Sequence, residues 1–117
     1  MIEQLISKVF AARNATHLEH WSTGSYSKHR ALGEFYVKVI DRLDDLVEAY
    51  SGAFGKIEKI ALDQGSSPDC YALLGEQAVW ISHHKDEICR EIDALENIVD
   101  EIVSLYLTTL YKLKELS

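Results

Sequence analysis

A single proline, Pro68, stands in a chain of 117 residues. Proline removes a helical N–H and clashes with the preceding turn, so its near-absence leaves long stretches free to remain helical. Apolar residues on both sides of it recur at three- and four-residue spacing, the period of an amphipathic helix rather than a strand. Six glycines and one proline are also too few to turn the chain of a sandwich or barrel of many short strands. An all-α fold is predicted.

Ile2, Leu5, Ile6, Val9 and Phe10 begin a stripe that runs on to His20 and Trp21, which predicts a first helix over residues 2–22. Ser22 to Ser27 is rich in residues that compete with the helical backbone, so it reads as a tight turn with Ser25 or Ser27 capping the next helix. Leu32, Tyr36, Val39, Leu43, Leu46 and Tyr50 carry that second helix to about residue 52. Residues 54–63 keep the period, as a continuation or a short separate helix, before the Asp63–Asp69 break. From Cys70 to Leu116 one long stripe has to fold back on itself. A turn is expected between Ser82 and Asp93, with Asp93 and Glu96 forming a capping box. Four helices in a bundle, one domain over residues 1–117 and no internal repeat follow.

Twelve Lys and Arg against 19 Asp and Glu give a formal charge of −7. With no basic stripe to neutralise phosphates, direct nucleic-acid binding is not expected. No 18-residue uncharged stretch occurs and no basic n-region opens the chain, so neither a membrane span nor export is expected. Cys70 and Cys89 are too few for a disulfide scaffold or a cysteine zinc site. They read as packed residues of a reduced, cytoplasmic protein.

On the second helix Gly33, Val37, Ile40, Asp44 and Glu48 follow a second line beside the main stripe. Two carboxylates thus extend an apolar line, and if another helix packs there they need a cation or donors to offset desolvation. A metal ion would serve. So would Arg30 or a lysine, and the line could equally face water. His20 and His29 flank the turn between the first two helices. Asp44 lies 15 residues beyond His29, about 22 Å along a helix, so one chain cannot bring both to one ion. A second chain packed antiparallel about a two-fold axis could, giving two equivalent sites of imidazole nitrogen and carboxylate oxygen. That ligand mixture suits iron or zinc.

The run His20-Trp21, a short turn, His29-Arg30-Ala31-Leu32-Gly33-Glu34-Phe35-Tyr36, Asp44 and Glu48 resembles the first two helices of Dps-type mini-ferritins. In those proteins a ferroxidase site lies across a dimer interface, with a His-Trp on one helix and H-x14-D-x3-E on the next. The resemblance covers residues 17–52. It implies a ferritin-like bundle that dimerises through its first two helices, with iron or another divalent metal held by His20, His29, Asp44 and Glu48. It also implies Fe(II) oxidation and sequestration, in a homodimer or a larger homo-oligomer. The family carries an acid four residues after the second histidine, where Gly33 stands here; adjacent Glu34 is a substitute. The wider pattern, with Asn97 to Ile102, is similar to small ferritin-like proteins of phage genomes. On that likeness the alternative is an inactive structural or interaction module of a phage or bacterial assembly, and the location the host cytoplasm.

An ordinary intra-chain di-metal bundle needs Glu-x-x-His on two helices, and no such tetrapeptide occurs. His17 shares a face with His20 and is a possible additional ligand. His83 with Glu87 is a competing pair without a third partner, and Asp100 with Glu101 flank an apolar stripe as solvated charges ordinarily do. Trp21, Trp80 and the six tyrosines read as packing and interface residues.

Overall fold

The computed structural model describes residues 1–62 and 69–116. Among these residues the chain forms four α-helices and no strand: α1 (Ile2–Ser22), α2 (Tyr26–Phe54), α3 (Cys70–Cys89) and α4 (Asp93–Glu115). The 29 residues of α2 span about 43 Å at 1.5 Å per residue. The molecule is 44 Å long, so α2 alone sets its length.

Most of the expected stripes form the core, but Phe10 and Trp21, placed on the first of them, are exposed, and Tyr36 is half-buried. Leu5, Val9, Leu32, Phe35, Leu46, Leu74, Ile81, Val99, Ile102 and Tyr106 are fully buried. Phe35 and Tyr106 meet edge to face at 5.0 Å between α2 and α4. Ser25 caps α2, its hydroxyl accepting from the Lys28 N–H at 3.3 Å, as its position in the turn predicts. Asp69 caps α3 by accepting from the Tyr71 N–H at 3.0 Å.

Two expectations about the connections need correction. Residues 55–62 are not helical. The α2 helix ends at Phe54, where Gly55 takes φ +98°, a backbone conformation that residues other than glycine rarely adopt. The turn between α3 and α4 does fall inside the expected window, at residues 90–92. There the capping box is displaced: Ile92 holds the cap position without a side-chain bond, and Asp93 and Glu96 lie in the first turn of α4, where their charge complements the helix dipole. Of the expected Asp63–Asp69 break, residues 63–68 lie outside the described residues.

Cross-contacts fix the helix directions. The Gln77 amide donates to the Lys8 carbonyl at 2.9 Å, and the Glu19 carboxylate lies beside the Cys70 thiol, so α3 runs antiparallel to α1. Lys112 reaches Glu34 at 3.0 Å, and Arg90 lies over the Phe54 ring at 4.1 Å. The order is therefore up, down, down, up, with α1 against α2 and α3, and α4 against α2 and α3. A down-down step needs a connection that travels the length of the bundle; of the residues joining α2 to α3, 55–62 and 69 are described. Among them Ile57 packs on the core, and Ile60 lies over the groove between α1 and α2.

Candidate metal centre

The tight α1–α2 turn brings two imidazoles face to face. The rings of His20 and His29 stack at 3.7 Å between centroids with 17° between planes. His20 Nδ1 lies 2.6 Å from the His29 carbonyl oxygen, and His29 Nδ1 lies 2.8 Å from the His20 carbonyl oxygen. A carbonyl only accepts, so each Nδ1 carries the proton and donates. In the neutral imidazole the lone pair then rests on Nε2, which is how metal-binding histidines are commonly held.

Gly33 completes the arrangement. A Cβ built there would lie 3.0 Å from His20 Cε1 and 3.1 Å from His20 Nδ1. The position that carries an acid in the mini-ferritin pattern is thus filled here by the edge of an imidazole.

Both histidines line an open groove of about 440 Å³ together with Tyr26, Arg30, Gly33, Glu34, Val37 and Lys38. Its charge is mainly cationic. Glu34, the acid on that wall, is engaged by Lys112 from α4 at 3.0 Å and more loosely by Arg30 at 3.9 Å. The hydrogen bond from Lys112 holds the Glu34 carboxyl below its ordinary value of 4.5. As a substitute ligand Glu34 is therefore already occupied. His17 stacks on Tyr36 at 4.1 Å and tilts against Trp21 at 4.7 Å.

Asp44 and Glu48 lie elsewhere on α2. Both are exposed, and they line a separate groove of about 460 Å³ with Ile6, Phe10, Leu43, Val47 and Ile60. Among the described residues neither enters an ion pair. The line that carries them is covered in part: Gly33 lies against the His20 ring of α1 and Ile40 packs on the core, whereas Val37 is 58% exposed. Within one chain the structure brings His20 and His29 together and leaves Asp44 and Glu48 apart from them. Among the described residues no three His, Cys, Asp or Glu side chains converge on a common point.

The bundle interior, where an intra-chain di-metal site would sit, is occupied by a neutral network. Tyr106 donates its hydroxyl to Gln77 Oε1 at 2.7 Å, and Gln77 passes its amide to the Lys8 carbonyl. Burial pushes the Tyr106 phenol far above its usual range, so it remains a donor. Sequence reading missed this pair, although a glutamine and a tyrosine inside apolar stripes are a usable signal. It also missed the platform on α3, where His84 stacks on Trp80 at 4.2 Å while Lys8 lies 4.9 Å from the same ring. Both members of the competing pair, His83 and Glu87, are exposed.

No helix among the described residues is long and apolar enough to cross a membrane. A protein-family model described as "Family of unknown function (DUF5856)" matches residues 20–113, a span that opens on His20 and takes in α2 and α3 whole. No curated protein and no solved structure matches the chain.

Proposed function

The chain belongs to this family of unknown function, DUF5856, and from its geometry we propose that it is a ferritin-like homodimer that takes up iron, or a similar divalent ion, at sites shared between two copies. His20 and His29 of one copy and Asp44 and Glu48 of the other hold the ion. The observation that carries this reading is the pair of imidazoles whose Nδ1 atoms are both committed to carbonyl oxygens, leaving Nε2 as the ligand nitrogen.

Three further features support it. In the groove that holds the histidines the acid, Glu34, is engaged by Lys112, and in this reading the oxygen ligands are those of the second copy. Asp44 and Glu48 are exposed on a partly covered helix face and are oxygen donors of the right type. One long crossover with up, down, down, up connectivity is also the arrangement that ferritin-like bundles use.

Bound iron would supply a redox centre that oxygen or peroxide can oxidise, with the carboxylates favouring the ferric state. The chain's own part is to present nitrogen on one side and negative charge on the other. The combined Asp44→Ala, Glu48→Ala variant is expected to lose stoichiometric uptake of Fe(II), measured anaerobically by elemental analysis after desalting. Unchanged uptake would overturn the assignment.

One observation favours a second reading, an inactive structural or interaction module. The His20 ring lies on Gly33 and is fastened to His29, an arrangement that could serve only to clasp the α1–α2 hairpin. Aerobic Fe(II) oxidation no faster than in buffer, together with no metal retained, selects that reading.

A further inference from the structure

We infer that, in the metal-free protein, the exposed line of α2 docks antiparallel on the same line of a second copy, with the two-fold axis passing Val37 and Arg30 of each chain paired to Asp44 of the other. This rests on the self-pairing in the reading above and not on its metal. Val37 is the large apolar side chain at the middle of that line and is 58% exposed. Four residues away on either side stand Gly33 and Asp41, seven away stand Arg30 and Asp44, and eleven away stand Tyr26 and Glu48. Offsets of four, seven and eleven return to one face of a helix, so all seven positions share the outward face. Tyr26, Arg30, Asp41, Asp44 and Glu48 are all exposed on it.

The charge on this face is split by Val37. Among the seven positions the N-terminal half carries Arg30 and no acid, Glu34 beside them being held by Lys112 of α4, and the C-terminal half carries Asp41, Asp44 and Glu48. A parallel copy would set like charges together, whereas an antiparallel copy centred on Val37 sets each Arg30 against the partner's Asp44. The pairing is self-complementary, as a two-fold contact requires. It spans about 33 Å of helix from Tyr26 to Glu48. Arg30 is available for it: its side chain is 62% exposed, its ion pair with Glu34 is stretched to 3.9 Å, and its bond to the Tyr26 hydroxyl to 3.4 Å. At Gly33 the His20 ring of the same chain closes the face, so the contact runs through the exposed positions on either side of it.

A Val37→Cys variant tests the register. Cys70 and Cys89 are buried, so the introduced thiol would be the one open to oxidation among the described residues. Mild oxidation is expected to give a covalent dimer of twice the 13.3 kDa chain mass on non-reducing electrophoresis. Charge reversal tests the ion pair by sedimentation of the full chain. Arg30→Glu alone and Asp44→Arg alone should each weaken self-association by about tenfold or more, and the double reversal should restore it. A native dimer whose Val37→Cys form does not cross-link overturns the register while leaving self-pairing intact. A double reversal that stays dissociated overturns the ion pair. A wild-type chain sedimenting as one copy overturns both this inference and the dimer it rests on, and leaves the face to a partner of another kind.

Discussion

Gly33 occupies the middle of α2, where glycine ordinarily costs about 1 kcal/mol relative to alanine. Its use is spatial, because the His20 ring rests where a Cβ would go and cannot retreat: it is stacked on His29 and bonded to the His29 carbonyl. Gly33→Ala is therefore expected to destabilise the protein by about 1 kcal/mol, the loss of the clasp exceeding the gain in helix propensity. Gly75 provides the control. It also lies inside a helix, but nothing stands within 4 Å of its would-be Cβ, so Gly75→Ala should stabilise by about 0.5–1 kcal/mol. Urea unfolding measures both; a stabilised Gly33→Ala would show that the imidazole is not fixed. The cysteines give a second prediction at this scale. Burial is the main cause that pushes Cys70 up to about 12 and Cys89 to about 11. Neither thiol should react with a disulfide reagent at pH 8 until the protein is unfolded. Early reaction of either would contradict their packing.

The helices were legible from apolar period because burial enforces it: Leu5, Val9, Leu74, Ile81, Val99 and Ile102 are inside as their spacing demands. Connections were less legible, since a single residue's dihedrals decide them. The α2 helix ends before Gly55 although Ile57 and Ile60 continue its period. At the other hairpin Arg90 and Glu91 turn the chain with φ of 53° and 68°, and neither is glycine. Left-handed backbone costs a non-glycine residue roughly 1–2 kcal/mol. Arg90 gains a contact with the Phe54 ring in exchange, and Glu91 is exposed. Glu91→Gly should accordingly raise stability by about 0.5–1 kcal/mol after allowance for the greater freedom of the unfolded chain. No gain in thermal midpoint would mean that the turn is not strained at Glu91. Between α2 and α4, Lys112 lowers the Glu34 carboxyl from its ordinary 4.5. The folded value lies below the unfolded one, so whatever this exposed pair contributes is present above about 4.5 and disappears as pH falls through the folded value. Lys112→Met should move the Glu34 titration, followed by NMR, back towards 4.5; an unmoved curve would assign the shift to another cause.

At the scale of the whole molecule, the meeting of His20 with His29 and the separation of both from Asp44 and Glu48 were legible, and the side-chain surroundings of each were not. The spacing of His29, Asp44 and Glu48 along one helix already forbids a shared ion within a chain, and the extended single α2 helix keeps that separation. The reciprocal bonding of the two histidines depends on the closeness of the α1–α2 turn, which no periodicity reveals. The engagement of Glu34 depends on α4, 78 residues away. Complementation between damaged chains tests the proposed shared site most directly. His29→Gln removes the nitrogen side from one chain, and Asp44→Asn with Glu48→Gln removes the oxygen side from another; each variant alone should retain no tightly bound metal. Native mass spectrometry of the two mixed after dissociation and reassociation, then supplied with Fe(II) under argon, should show one intact site in each mixed dimer. A mixture that binds no more metal than its separate components would contradict a centre shared between chains.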